Sequence, residues 1–520
     1  MIRYFDVWRH FHFWLATNLL MECQPSLQRY RLLYDFPPSL YRTFSYFYRS
    51  LEENHKEDGN AEVMADIPLE DLSLTKNEND AKRRSTESSV SSKDAEIAVT
   101  SGKQTYQPIS NFETMAHLLK GNIGTGIFAM PSAFRNSGLW VGSVLLPVMA
   151  IICTHCMQML VKSAAIMKKR EGDFSISYAD VAETACRTGP PQFAKYGRAF
   201  SITINVFICI TQFGFCCVYL VFTSTNLQQV VEYYTELGWD VRIYMCFLTI
   251  PLIFLNWIRN LKLLAPVSLI ANVLQMSSIV VVFYYIFRDP LPPVNSVPAF
   301  GSWGGLPLFF GTTVFTFEGI ALVLPLQKDM RRPWDFKGWT GILNTGMVIV
   351  TCIYIAMGFY GYLAYGEDIL GSITLNLPQD EVLAQVVKIL LVIAICGNYA
   401  MQFYVPIPII WPTLSKYAAR YTSNDLAAER AFRTFMVLVT LLLAAAIPKI
   451  DLFISLVGAF GSSFLALIFP PLLEYVTQAP NVSKITITKE VLILVFGVIG
   501  FGTGTYAAIL AIVQEFSGSD

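Results

Sequence analysis

From residue 111 onward the chain alternates long apolar runs with short polar stretches, and before that point it does not. A helix that crosses a bilayer needs about 20 mostly apolar residues. Runs near that length fall at 112–134, 137–162, 197–222, 243–258, 263–287, 305–326, 340–365, 382–405, 430–447, 451–471 and 490–514, about eleven spans on the length criterion. They are too long, and alternate too little, to be barrel strands. The pattern therefore predicts an all-α polytopic membrane protein with the lipid bilayer as its solvent. The polar stretches differ in sign. Lys168, Lys169, Arg170, Arg187, Lys195 and Arg198 follow the second span, Arg259 and Lys262 the fourth, Lys328, Arg331, Arg332 and Lys337 the sixth, and Lys416, Arg420, Arg430 and Arg433 the eighth. The alternate loops carry Glu232, Glu236 and Asp240, then Glu367, Asp368, Asp380 and Glu381. Basic loops stay cytoplasmic, so the amino terminus is expected in the cytoplasm and the short end EFSGSD outside or in a lumen. The sequon at Asn481 then falls on the cytoplasmic side, where it is expected to be unused.

The polar start of the chain has two parts. Residues 1–50 are crowded with Phe, Tyr, Trp and Arg. Their stretch FHFWLATNLLM is too short to span and reads as an interfacial segment of unknown role. Residues 51–110 are charged, serine-rich and poor in aromatics, the composition of a disordered cytoplasmic tail. Arg83 to Thr86 is a candidate kinase site, and Tyr106 to Ile109 a candidate signal for sorting adaptors. Residues 111–516 form the membrane domain.

Composition narrows the function. Of 520 residues, 53% are hydrophobic and 15% charged, where an ordinary soluble domain carries about a quarter charged. A net charge of −1 gives no footing for a nucleic-acid partner. The 10 cysteines lie mostly in apolar runs and make no disulfide framework, with Cys186 in a polar loop. Cys153 and Cys156 flank His155, but no second Cys or His pair accompanies them, so they read as packing thiols and no metal or cofactor is expected. No nucleophile–base constellation marks an enzyme.

Two apolar runs carry residues a membrane helix ordinarily avoids. In the first span Gly121, Gly124 and Gly126 fall together around Asn122 and Thr125. In the sixth, Gly311, Thr312, Thr313, Thr316, Glu318 and Gly319 do the same. Glycine pairs also mediate plain helix packing, but their motif is four residues apart. Here the first-span spacings are three and two, with polar residues between. A break in mid-membrane fits better. It frees N–H groups at the start of the second half, which suit a carboxylate, and C=O groups at the end of the first. Proline follows each stretch, Pro131 and Pro325. Interrupted helices at positions one and six point to a 5+5 inverted repeat with one extra helix, and to a site at the midplane.

HLLKGNIGTG (117–126), HCM (155–157), QFGFCCVY (212–219), FEG (317–319), GSITLN (371–376) and QFYVP (402–406) together resemble the proton-coupled amino acid transporter family of the amino acid/auxin permease superfamily. The resemblance covers the chain from about Asn111 to its end. It implies a leucine-transporter-like fold and the movement of small amino acids with protons, with His117 at the position of the family's coupling histidine and His155 at that of its second-span histidine. Many vertebrate members also have a disulfide between the loops after the third and seventh spans. This chain has no cysteine in either loop.

The expected chemistry follows. A substrate carboxylate would meet the amides around Gly124, Thr125 and Gly126, beside Asn122, and its ammonium would meet carbonyls near Thr313 and Phe315. Phe315, Phe317, Tyr219 and Phe403 are candidate walls, which would favour glycine, alanine or proline. His117, with an ordinary pKa of about 6.5 and about one turn before the break, is one candidate proton carrier. Glu318, buried and unpaired, is the other; its alternative role is to cap the broken sixth helix. Lys120 reads as a pairing residue and His155 as structural. Sodium coupling and a membrane amino-acid sensor are the competing readings. Plasma and endolysosomal membranes both fit.

Overall fold

The computed structural model describes residues 108–172, 177–236, 238–259, 261–420, 424–479 and 482–517. The aromatic segment, the charged tail with its kinase and sorting motifs up to Gln107, and Asn481 lie outside the described residues.

Among the described residues sixteen α-helices have eight residues or more: α1 (Asn111–Asn122), α2 (Gly126–Ser137), α3 (Leu139–Glu171), α4 (Tyr178–Thr188), α5 (Gly197–Thr235), α6 (Val241–Asn256), α7 (Leu261–Arg288), α8 (Gly305–Thr316), α9 (Ile320–Asp329), α10 (Ile342–Tyr365), α11 (Val382–Tyr404), α12 (Ile407–Ala418), α13 (Asp425–Ala446), α14 (Ile450–Val457), α15 (Phe469–Gln478) and α16 (Lys484–Ser517). The chain is a multi-pass membrane protein: among the described residues eight helical stretches are long and apolar enough to cross a bilayer, and α1 with α2, α6 and α13 fall on the first, fourth and ninth expected runs. The first is α1 with α2, the sixth is α8 with α9, and the tenth runs from α14 through two π-helical turns, Gly458–Ser462 and Phe464–Ile468, into α15. Large apolar side chains cover the outside, among them Val144, Ile151, Leu442 and Leu492. Buried threonines, serines and amides lie within. The core is apolar as in a soluble protein, and the apolar exterior is what a lipid solvent selects.

The two expected breaks are present. Each half of the first span has 12 residues, about 18 Å at 1.5 Å per residue, so neither half crosses a core of about 30 Å alone. α1 begins with a capping box in which the Ser110 hydroxyl accepts from the Glu113 amide and the Glu113 carboxylate accepts from the Ser110 amide. It ends where the Gly124 amide donates to the Asn122 carbonyl at 3.0 Å, a three-residue turn that no helix continues through. α8 ends at Phe317 and α9 resumes after Gly319. An odd number of helices per half inserts the second half with opposite polarity, so α1 runs beside α9 and α2 beside α8. The face where α1 starts is strapped: the Ile109 amide donates to the Asp329 carbonyl at 2.9 Å, and the Arg331 amide to the Ile109 carbonyl at 2.8 Å.

Two segments depart from the expectation of plain loops. The stretch after the second span folds α4, whose buried face of Tyr178, Val181, Ala182, Ala185 and Cys186 packs inward. Cys186 is therefore a core thiol, not a loop residue. The third span also runs on as helix to Thr235, past its apolar end. The cysteines among the described residues are all free. Hydrogen bonds hold the loop after the seventh span instead: Arg135 donates to the Ile369 carbonyl at 2.6 Å, Gln229 to Leu375 at 3.2 Å and the buried Lys388 to Leu377 at 3.5 Å. At the end of that loop Glu381 accepts from Tyr285 at 2.9 Å and pairs with Arg288. Arg288, and then Tyr285, hold its carboxyl below the usual carboxylate range.

Candidate functional site

The two breaks meet side by side in the middle of the bundle, and glycine permits the approach. A Cβ on Gly126 would stand 2.5 Å from Thr316 Oγ1, one on Gly319 2.8 Å from Asn122 Oδ1, and one on Gly121 2.5 Å from Leu322 Cδ1. All three are closer than real Cβ contacts allow. These glycines bring one broken helix against the other. Gly124 differs, since a Cβ there meets the Tyr219 hydroxyl at an ordinary 3.5 Å. Gly124 is thus the glycine whose surroundings have room, and Tyr219 from α5 faces it.

The helix termini alternate in sign at this level. α2 starts at Gly126 with no side-chain cap. Among the described residues no backbone carbonyl accepts from the amides of Thr125, Gly126 or Ile127. The electropositive end of α2 therefore lies beside the carbonyl end of α8. Side-chain polar atoms here lack partners too. Asn122 Oδ1, Thr125 Oγ1, Thr313 Oγ1 and both carboxyl oxygens of Glu318 are buried with no hydrogen bond. Buried polar atoms are almost always satisfied, so five such atoms on two adjoining breaks mark a place built for a polar occupant.

Glu318 is 8% exposed. It does not cap α9, whose first turn has no side-chain cap. Ser462, from the π-helical turn of the tenth span, lies beside it, and Cys153 and Tyr178 are within its electrostatic reach. The tenth span comes this near because its backbone touches that of α8. A Cβ on Gly458 would overlap the Gly311 carbonyl, and Ser455 donates to Leu308 at 3.1 Å. Such π-helical turns recur at functional sites.

The structure separates the sequence-derived candidates. Asn122, Gly124, Thr125, Gly126, Thr313 and Glu318 belong to the two breaks, and Tyr219 faces them. The Phe315 ring meets Phe215 of α5 edge-on at 4.6 Å, a wall shared between spans three and six. Phe317 is fully buried against the Tyr354 ring at 5.3 Å, inside the junction. Phe403 packs between Phe213 and Tyr399, in the contact of α5 with α11. α1 buries Thr114, Leu118 and Asn122 on one stripe, and His117 lies off that stripe, on the exposed side of the helix. His155 faces a different group at the ends of spans two, ten and eleven, where Glu474 binds Lys162 at 2.7 Å and Lys489 at 3.3 Å.

Two residues of the site were not singled out by the sequence. Tyr354 of α10 donates to the Asn122 carbonyl at 2.5 Å and stands 3.2 Å from that of Thr316. Gln275 of α7 donates to the Ile123 carbonyl at 3.0 Å, and Asn398 of α11 donates to Gln275 at 2.9 Å. For Gln275 and Asn398 the available signal was an amide in an apolar run, costly unless partnered. Among the described residues no cluster of His, Cys, Asp and Glu is arranged to hold a metal.

The profile of the transmembrane amino acid transporter protein family matches residues 107–510. The chain is similar to "Proton-coupled amino acid transporter-like protein pathetic" of Drosophila melanogaster, at 37% identity over 416 residues, 79% of this chain and 87% of that one. It is also similar to "Probable amino acid transporter skat-1" of Caenorhabditis elegans, at 28% identity over 419 residues, 78% of this chain and 90% of that one. Among solved structures it resembles Mhp1, a nucleobase-cation-symport-1 family transporter in a closed conformation with bromovinylhydantoin bound. That likeness has a TM-score of 0.45 and 14% identity, and covers 79% of this chain and 93% of that one.

Proposed function

We propose that this chain, which belongs to the transmembrane amino acid transporter family, carries small neutral amino acids of the glycine, alanine and proline class together with protons by alternating access. The observation that carries this reading is the pair of adjoining breaks lined by unpartnered buried polar atoms, with Glu318 beside them. In this reading the substrate carboxylate accepts from the free amides of Thr125, Gly126 and Ile127 over Gly124. Asn122, Thr125 and Thr313 take its remaining polar contacts. Tyr219 and Phe315 bound the space and keep the substrate small, while Phe317 packs on Tyr354 inside the junction and Phe403 packs on Phe213 and Tyr399 in the contact of α5 with α11.

Glu318 is the proton carrier by position. A carboxylate buried beside a hydroxyl but with no cation to pair with is costly to leave charged, so in this reading Glu318 is held as the neutral acid while it is buried. Opening toward one side admits water and lets the proton go. His117, on the exposed side of α1, is the secondary candidate and acts where the entry to the bundle is wet. The N-terminal face is cytoplasmic, and the membrane is the plasma or the endolysosomal one. Kinases and sorting adaptors are the partners proposed for the tail.

Uptake of labelled glycine, alanine and proline into vesicles, with and without an inward proton gradient, tests the reading. The expected result is uptake that rises with the gradient in the wild type. Glu318→Gln should keep substrate exchange and lose that response. Binding without uptake would make the protein a receptor instead, and an unchanged gradient response in Glu318→Gln with a lost one in His117→Gln would move the proton to the histidine.

A further inference from the structure

The breaks expose three carbonyls at the ends of first halves, those of Asn122, Ile123 and Thr316. Oxygens so exposed at a helix break are what an alkali cation ordinarily uses. Here each already faces a neutral donor from the chain itself. The fully buried Tyr354 hydroxyl stands 2.5 Å from the Asn122 carbonyl and 3.2 Å from that of Thr316, so one O–H sits between the two broken helices. Gln275 covers Ile123, and because its own carbonyl accepts from Asn398, its amide is fixed with the donor end toward the break. Phe317, packed on the Tyr354 ring, holds the phenol in place.

We propose that Tyr354 determines which ion drives the carrier: its hydroxyl occupies the point between the Asn122 and Thr316 carbonyls where a sodium ion would otherwise bind, and so excludes it. The proposal rests on the transport reading for its consequence, but not for its geometry. A cation needs several oxygens turned on it at once with no proton among them. The phenol takes the space and directs its O–H at one of those oxygens. It also ties spans one, six and seven together, which the cation would otherwise do. With that point filled by a side chain, coupling passes to a group that takes up a proton.

Tyr354→Phe removes one oxygen and keeps the ring. It takes the phenol donor from the Thr316 carbonyl and leaves the Asn122 carbonyl with only the Gly124 amide. Loss of a buried partner of this kind corresponds to about a tenfold effect. The expected result is proton-driven uptake reduced about tenfold, partly restored when Na⁺ or Li⁺ replaces choline, whereas the wild type is indifferent to the exchange. The same contrast is read without transport, as a rise in melting temperature of the purified full-length variant with NaCl that choline chloride does not produce. Three outcomes overturn the proposal: uptake and salt response in Tyr354→Phe identical to wild type; lost uptake with no sodium response in either assay, which would make Tyr354 structural only; or sodium-specific stabilisation of the wild type itself. If no amino acid is transported at all, the transport reading fails, and the melting experiment still decides the role of Tyr354.

Discussion

Gly126 and Thr316 give the sharpest test of how the two broken helices fit. Gly126→Ala adds one carbon that would lie 2.5 Å from Thr316 Oγ1 and 3.0 Å from both Thr316 Cβ and Cγ2. Ordinary carbon contacts are at about 3.5–4.0 Å, so α2 and α8 must part by about half an ångström or more. Turning the threonine gives no escape, since all three of its heavy side-chain atoms are close and its hydroxyl is bonded to the Thr312 carbonyl at 2.7 Å. Overpacking of this kind costs about 1–3 kcal/mol. Thr316→Ala removes the methyl and the hydroxyl, at about 1 kcal/mol for the lost hydrogen bond, and relieves two of the three close contacts, leaving Cβ at 3.0 Å from the new carbon. The double variant should therefore be more stable than Gly126→Ala alone, with a coupling of about 1–2 kcal/mol against additivity. Melting temperatures of the four purified proteins measure this, and gradient-driven uptake should follow the same order. If the double variant melts below Gly126→Ala by the full Thr316→Ala decrement, the close approach of the two breaks is refuted. Gly124→Ala is the internal contrast: its 3.5 Å contact with Tyr219 is ordinary, so it should leave the stability within about 0.5 kcal/mol of wild type while changing substrate size preference.

Two further predictions concern the charged anchors. Glu381 has its carboxyl held below the usual range by Arg288 first and Tyr285 second. The stabilisation it contributes is thus present above the ordinary carboxylate pKa of about 4.3 and is lost only as pH falls through the lower folded value. Glu381→Gln should lower the melting temperature equally at pH 7 and pH 5 and converge with the wild type near pH 3; convergence already at pH 5 would show that the pairing is not what holds the loop. Lys388 is fully buried with a single carbonyl partner at 3.5 Å. Replacing a buried charge that lacks a countercharge by a residue of similar shape is often neutral or stabilising. Lys388→Met should melt at or above the wild-type temperature with uptake intact, and a marked fall would show that the bond to Leu377 outweighs the cost of burying the ammonium.

Much of the architecture is legible in one dimension because the bilayer imposes a length and a polarity. Each of the eleven runs falls within a helical stretch of the structure or matches it to a few residues, with α3, α5, α15 and α16 continuing as helix past the apolar ends. The breaks are legible too, because Gly, Asn, Thr and Glu in mid-run are costly without a reason. α4 carries the helical period in Tyr178, Val181, Ala182 and Ala185, but its charged neighbours obscure it. The glycines could not be sorted from sequence. Gly121, Gly126 and Gly319 each meet a residue of the other broken helix, and Gly124 meets Tyr219 of another span. Packing and ligand access, which look like alternatives in sequence, are divided among neighbouring glycines.

What the sequence determined by itself was the number of spans, the helices that break and the residue types at the breaks, since solvent and backbone chemistry act on each segment separately. What only the tertiary structure decided was which side of each helix faces which neighbour. That choice turns His117 outward and Glu318 inward, and sets the Tyr354 hydroxyl between two carbonyls nearly two hundred positions apart. Such contacts depend on the rotation of rigid helices against one another, and a local stretch of sequence carries no record of that rotation.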